Sequence, residues 1–356
     1  MNKEIFQLAW WKWLAIILTL LSLIIGLGAP LGPGIRWVNP INAEAGKNLE
    51  LEVRTVNAHF KSKGLGLKSA LNLDNAPLIS SDSVKVLGEN DLLFHYYIPP
   101  SFNPVKGNIH LLDLEIASDY DGLIVLRQGL EIRRTENLLA DTLHRAIPKN
   151  QHFQITRLTS EWFSFPNREI LYESVRNLFF HVAMWPAMLL LFLVSVIYSI
   201  RYLRSGNPIH DFIAVESVQT GLLFATIGII TGSIWAKYTW GDWWPNDPKL
   251  NGAAIGILLY FAYMILRNSI AEEQQRGRIS AVYNVFAFPL MFVVIMILPR
   301  LTDSLHPGNG GNPGFNTYDL DSHLRIAFYP ACLGWVLIGV WIKEMRVRIR
   351  KLEFSQ

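Results

Sequence analysis

The sequence predicts a polytopic α-helical membrane protein of about six transmembrane helices, carrying an inserted extracytoplasmic β-rich, sandwich-like domain. Three observations predict it. Six apolar segments are long enough to cross a bilayer, basic clusters recur in alternate connections and so on one side, and one long stretch switches to a period-two pattern. Composition agrees: 51% of the 356 residues are hydrophobic and only 17% are charged, against roughly a quarter charged in soluble domains. The net charge of +3 is small and the basic residues sit beside apolar runs, which gives no support to a nucleic-acid partner. A single cysteine, Cys332, rules out an intramolecular disulfide, a CxxC redox site and a cysteine-based zinc site.

The six spans fall near 13–31, 177–200, 212–235, 250–266, 281–299 and 326–342. Lys3 and Lys12 precede the first span, Arg201 and Arg204 follow the second, and Arg267, Arg276 and Arg278 follow the fourth. Lys343, Arg346, Arg348, Arg350 and Lys351 follow the last. All lie on one side if both termini are cytoplasmic. The first span reads as a retained helix: it is longer than a leader's apolar region, and no A-x-A site follows its GAPLGPG exit.

The chain therefore divides into an N-terminal transmembrane helix (1–35), an extracytoplasmic β-rich insert (36–172) and a five-helix membrane domain (173–356). In the insert, NLELEVRTV alternates Leu49, Leu51 and Val53 with Glu50, Glu52 and Arg54, as a half-buried strand does. DLLFHYYI, NIHLLDLEI and GLIVLRQGLEI read as further strands, with GEND and DYDG as turns. His59, His95, His110, His144 and His152 lack metal-ligand spacing, so surface or packing roles are expected.

Between spans three and four lies WAKYTWGDWWPNDPKLN, with Trp235, Trp240, Trp243 and Trp244 inside ten residues. A lone interfacial tryptophan is ordinarily an anchoring belt residue. Four together, stiffened by Pro245 and Pro248, make a concentrated apolar platform. His181, opening span two after Arg176, and His306, just past span five, fall at the same depth. Paired imidazoles suit the axial positions of a haem. Arg176, Lys237 and Lys249 offer cations for the carboxylate edges of such a group.

GSIWAKYTWGDWWPNDPKLN resembles the tryptophan-rich WWD signature of the haem-handling proteins of cytochrome c biogenesis, and is most similar to the CcmC type. RNLFFHV and DSLHPG are similar to that family's two histidine segments, in the same order. The resemblance covers spans two to six, about half the chain. It implies non-covalently bound b-type haem on the external loop, with His181 and His306 as axial ligands of the iron. Trp240, Trp243, Trp244 and Asp247 then form the platform, with Trp235 beside it, and Arg176 and Lys249 partner the propionates. The implied role is binding and transfer rather than enzymatic turnover. The resemblance further implies that haem passes to a periplasmic haem chaperone, alongside other membrane subunits of the maturation machinery, in a bacterial inner membrane with the insert and both loops periplasmic.

Two departures stand out. WWPND places Asn246 where the family carries an aromatic, and the insert occupies a loop that is short in typical members. Two alternatives remain. A CcsA-type subunit of a cytochrome c synthetase suits the DPK after the motif, although that type has more spans and a further intramembrane histidine pair. A transporter of haem or another small molecule would use an ionisable group within a span, for which Glu216 is the candidate.

Overall fold

The computed structural model describes residues 9–63, 66–72, 79–104, 109–135, 163–167, 171–306 and 320–355. Lys3, His144, His152 and residues 307–319 of the second outer loop lie outside them. The chain forms two compact units, Met1–Ala29 with Glu173–Gln356, and Pro30–Tyr172.

Among the described residues the elements run α1 (Trp10–Gly28), β1 (Gly34–Asn39), β2 (Asn42–Glu44), β3 (Asn48–Val56) and the single turn α2 (Phe60–Lys63). Then follow β4 (Lys68–Asn72), β5 (Ile79–Ser80), β6 (Ser83–Val86), β7 (Asp91–Tyr97), β8 (His110–Ser118) and β9 (Gly122–Arg133). A 3₁₀ segment (Tyr172–Phe179) leads into α3 (His181–Ser205), α4 (Pro208–Trp240), α5 (Pro248–Asn268), α6 (Glu273–Phe292) and α7 (Ser322–Phe354).

In the β unit, β1-β3-β7-β6 form one sheet and β2-β9-β8-β4-β5 the other. The alternation read from NLELEVRTV is realised: Leu49, Leu51 and Val53 are buried, and β3 pairs antiparallel with β7 from Asn48↔Tyr97 to Arg54↔Asp91. Leu92, Phe94 and Tyr96 from β7 meet Leu112, Leu114 and Ile116 from β8 and Ile124, Leu126 and Leu130 from β9 in one core, so the unit is a sandwich. His59 Nδ1 lies 3.1 Å from the buried Asp121 carboxylate, which also accepts the His59 backbone N–H; His95 lies 3.5 Å from Glu50.

The membrane unit is polytopic. Six helical stretches are long and apolar enough to cross a bilayer: Trp10–Gly28, Tyr172–Ser205, Pro208–Trp240, Pro248–Asn268, Glu273–Arg300 and Ser322–Phe354. Several exceed their apolar core because good caps extend them. Asn207, Asp247, Glu272 and Asp321 each accept backbone N–H bonds at a helix start, and proline follows directly at Pro208 and Pro248. α1 begins and ends about three residues earlier than the hydropathy reading, because Pro30 follows the Ala29 cap.

Lipid tails are as apolar as leucine, so these helices associate through close packing and internal polar bonds rather than hydrophobic exclusion. Met188, Leu191 and Phe192 of α3 pack with Val215, Val218 and Ala225 of α4, Tyr260 and Tyr263 of α5, and Met291 of α6. Phe192 stacks flat on Tyr260, ring centres 3.6 Å apart. α6 ends in a π-turn (Val293–Ile297) and a short 3₁₀ turn (Leu298–Arg300). Gly252 of α5 packs directly on this π-turn: a Cβ there would overlap the Val294 carbonyl oxygen.

The basic end of the bundle is held by ion pairs. Arg267 of α5 grips Asp211 of α4 with two bonds, 2.8 and 2.5 Å, with side chains only 5% and 9% exposed. Glu216, the intraspan acid, is buried on α4 and receives Arg346 at 2.7 Å and Arg350 at 2.5 Å from α7. Removing one partner of a buried pair leaves an uncompensated charge, which costs about 3–5 kcal/mol, whereas replacing both by apolar groups of similar volume is near neutral. Arg267→Ala should therefore sharply lower the thermal midpoint of the detergent-purified protein, and the Asp211→Leu/Arg267→Met double variant should recover most of the loss.

Candidate functional site

His181 stands at the start of α3, beside α4. Its Nδ1 lies 2.9 Å from the Gly228 carbonyl and 3.4 Å from the Thr231 hydroxyl. A carbonyl only accepts, so Nδ1 carries the hydrogen and Nε2 carries the lone pair. Trp185 and Trp235 meet the imidazole edge-on at 5.9 and 5.8 Å, and Trp235 is fixed by its own bond to Ser174, 3.0 Å. Gly232 makes room for the ring: a Cβ there would sit 2.5 Å from His181 Cε1.

His306 is held at the start of α5. Its Nδ1 lies 3.0 Å from Asp247 Oδ1, and Trp240 packs against the ring at 4.9 Å. Asp247 is the N-cap of α5. Its Oδ1 accepts from the backbone of Lys249 (2.9 Å) and Leu250 (3.2 Å), while Oδ2 accepts from Leu305 (2.7 Å). Burial alone would push this carboxyl up, but bonds from Ser304 and Leu305 and the neighbouring His306 together hold it below the usual carboxylate range. Burial pushes His306 down to about 4, helped by the charge on Lys249 and opposed by Asp247. His306 is therefore neutral at pH 7, with its hydrogen on Nδ1 and its lone pair on Nε2. A proton gained by His181 would push His306 further down.

The remaining predicted residues divide. Trp235 joins His181, while Trp240, Asp247 and Lys249 join His306. Trp243 and Trp244 lie on the exposed face of the loop, 54% and 38% accessible. Trp244 bonds to Asn251, which in turn donates to Asn246, so the polar residue in the aromatic's place ties the loop to the first turn of α5. Lys237 caps its own helix through the Gly241 carbonyl, 2.8 Å. Arg176 reaches the last carbonyls of α1, Gly26 at 2.7 Å and Leu27 at 3.3 Å, and pairs with Glu173. It also lines a cavity of about 280 Å³ with Ser174, Asn177, Trp235 and Tyr238.

Sequence reasoning missed Gly228 and Gly232, and read Asp247 as platform rather than as the anchor of His306. The signal for the glycines was present as the small-xxx-small run GIITG, residues 228–232. Gly232→Ala should displace the His181 ring and destabilise the protein by about 1–3 kcal/mol through overpacking. Gly228→Ala, whose Cβ would meet Trp185 at an ordinary 3.4 Å, should be tolerated; thermal unfolding of the two purified variants checks the contrast.

Residues 139–354 match the family described as heme exporter protein C (CcmC). A shorter stretch is similar to cytochrome c biogenesis protein CcsA. It is 34% identical over 88 residues to that of Synechococcus sp. (strain RCC307), covering 25% of this chain and 28% of the relative. The same figures hold for Prochlorococcus marinus subsp. pastoris (strain CCMP1986 / NIES-2087 / MED4). For Synechococcus sp. (strain CC9902) the identity is 32% over 94 residues, 26% of this chain and 31% of the relative. The chain thus spans less than a third of the length of these curated relatives. The family match takes in well over half the chain, including both histidines and the tryptophan-rich loop between them, and the chain belongs to the heme exporter protein C family.

Proposed function

We propose that this chain binds haem at the tryptophan end of its membrane unit, between His181 and His306, and passes it on during cytochrome c maturation. The observation that carries this reading is the paired tautomer. Each histidine donates from Nδ1 to an acceptor of the protein, Gly228 in one case and Asp247 in the other, so each offers Nε2 as an iron donor. Haem would supply an iron able to bind imidazole nitrogens, and His181 and His306 would hold it. The chain's own residues orient the two rings. Trp185, Trp235 and Trp240 wall the histidines in, and the exposed Trp243 and Trp244 offer apolar area to the porphyrin or to a partner. Lys249, whose charge reaches His306, is the cation for a haem carboxylate, with Arg176 a second candidate in the adjoining cavity.

The role is assembly rather than turnover: haem is held non-covalently and presented to a periplasmic haem chaperone by a protein of the bacterial inner membrane. The similarity to proteins named CcsA favours one second reading, a subunit of a cytochrome c synthetase that presents haem directly to apocytochrome. Glu216, the residue on which a transporter reading rested, is committed to Arg346 and Arg350 at the basic end.

Protein purified from haem-sufficient cells should show a six-coordinate bis-histidine absorption spectrum. His181→Ala and His306→Ala should each lower haem content and shift the Soret band, while His95→Ala in the insert should change neither; unchanged spectra in both ligand variants would remove the reading. The basic clusters support a sidedness with both termini in the cytoplasm and the insert and tryptophan-rich loop in the periplasm. A reporter that works only in the periplasm should be silent when fused after residue 356 and active when inserted in the 36–172 region.

A further inference from the structure

We propose that the two histidines are an unequal pair, and that Asp247 is a positioning residue that makes His306 the stronger donor and biases the bound iron towards its ferric state. The inference rests on the haem reading above and assigns different work to each side of the site.

His181 gives its Nδ1 hydrogen to a neutral backbone carbonyl, Gly228, at 2.9 Å. His306 gives its own to a carboxylate, Asp247, at 3.0 Å. Hydrogen bonds to an ionised acceptor are about twice as strong as neutral ones, and the stronger pull leaves more electron density on the distant ring nitrogen. A carboxylate behind a ligating histidine raises its basicity in just this way. The carboxylate here is immobile: its side chain is 0% exposed, and backbone N–H groups of Lys249, Leu250 and Leu305 fix both oxygens. Those bonds also draw on its charge, which softens the pull on His306 without removing it. A more basic axial nitrogen stabilises the higher charge of ferric iron over ferrous, so Asp247 lowers the reduction potential of the bound haem.

Asp247→Asn removes the charge. Asparagine is as good an N-cap as aspartate and keeps one carbonyl oxygen to accept from Nδ1 and from the backbone of Lys249 and Leu250, so the helix start is retained, while its amide nitrogen gives up the single bond from Leu305. Redox titration of the haem-loaded full-length protein should give a bis-histidine spectrum for both proteins. The variant should shift at least tenfold towards ferrous iron, which is about +59 mV for a one-electron couple. An unchanged potential with an unchanged spectrum overturns the proposal and leaves the haem reading standing. A parent protein without a bis-histidine spectrum overturns the haem reading itself. If the variant loses one ligand, free imidazole is added to refill the position: a potential above that of the parent supports the proposal, and one equal to it overturns it.

Discussion

The tryptophan end of the molecule depends on one buried carboxylate. Asp247 closes the tryptophan-rich loop, starts α5 and fastens the segment that carries His306, all through the same two oxygens. Helix starts leave several backbone N–H groups without partners, and in or near hydrocarbon such groups must be satisfied within the protein. That requirement is general; its consequence here is local. The residue that satisfies the start of α5 is also the residue that sets the tautomer of a candidate ligand, so folding of the loop and readiness of the site are one event.

The two ends of the bundle are built on different principles. At the basic end, charge holds helix to helix, with Asp211–Arg267 joining α4 to α5 and Glu216 with two arginines joining α4 to α7. Lys12 of α1 adds a looser contact to Glu344 at 3.9 Å and lies over the rings of Trp11 and Trp341. At the tryptophan end the ion pair is local, Arg176 with Glu173, and the helices meet through aromatic edges, small residues and the Asp247 carboxylate.

Much of this was legible from composition and period. Hydropathy located the six spans because a bilayer-crossing helix needs about twenty apolar residues whatever it packs against. Leu49, Leu51 and Val53 announced a strand because alternation is a local property. His181, His306 and the tryptophans were found by type and order. What stayed hidden depends on where side chains land across the bundle. Arg176 and Lys237 look like anion partners in the sequence, yet both bond to helix-end carbonyls, because a long cation near a C-terminus finds one ready. Asp247 reads as a loop charge until the fold brings residues 304–306 against it, 57–59 positions away in sequence. Gly232 reads as an ordinary membrane glycine until His181 occupies the space of its missing side chain.

The contact between Gly252 and the Val294 carbonyl bears on how the candidate site is held. With backbone lying directly on backbone, the first turns of α5 and the π-turn of α6 interlock like a key in its ward, and neither slides along the other without a clash. Asp247 and His306 sit on that interlocked piece, while His181, Gly228 and Trp235 belong to the pair α3 and α4. The anchors of the two candidate ligands therefore sit on different helix pairs, and the seam between those pairs is crossed by Phe192 stacked on Tyr260 and by Asn284 donating to Ser195 and Ser199, so the span between the imidazoles is set by the packing of α3 on α5 and α6.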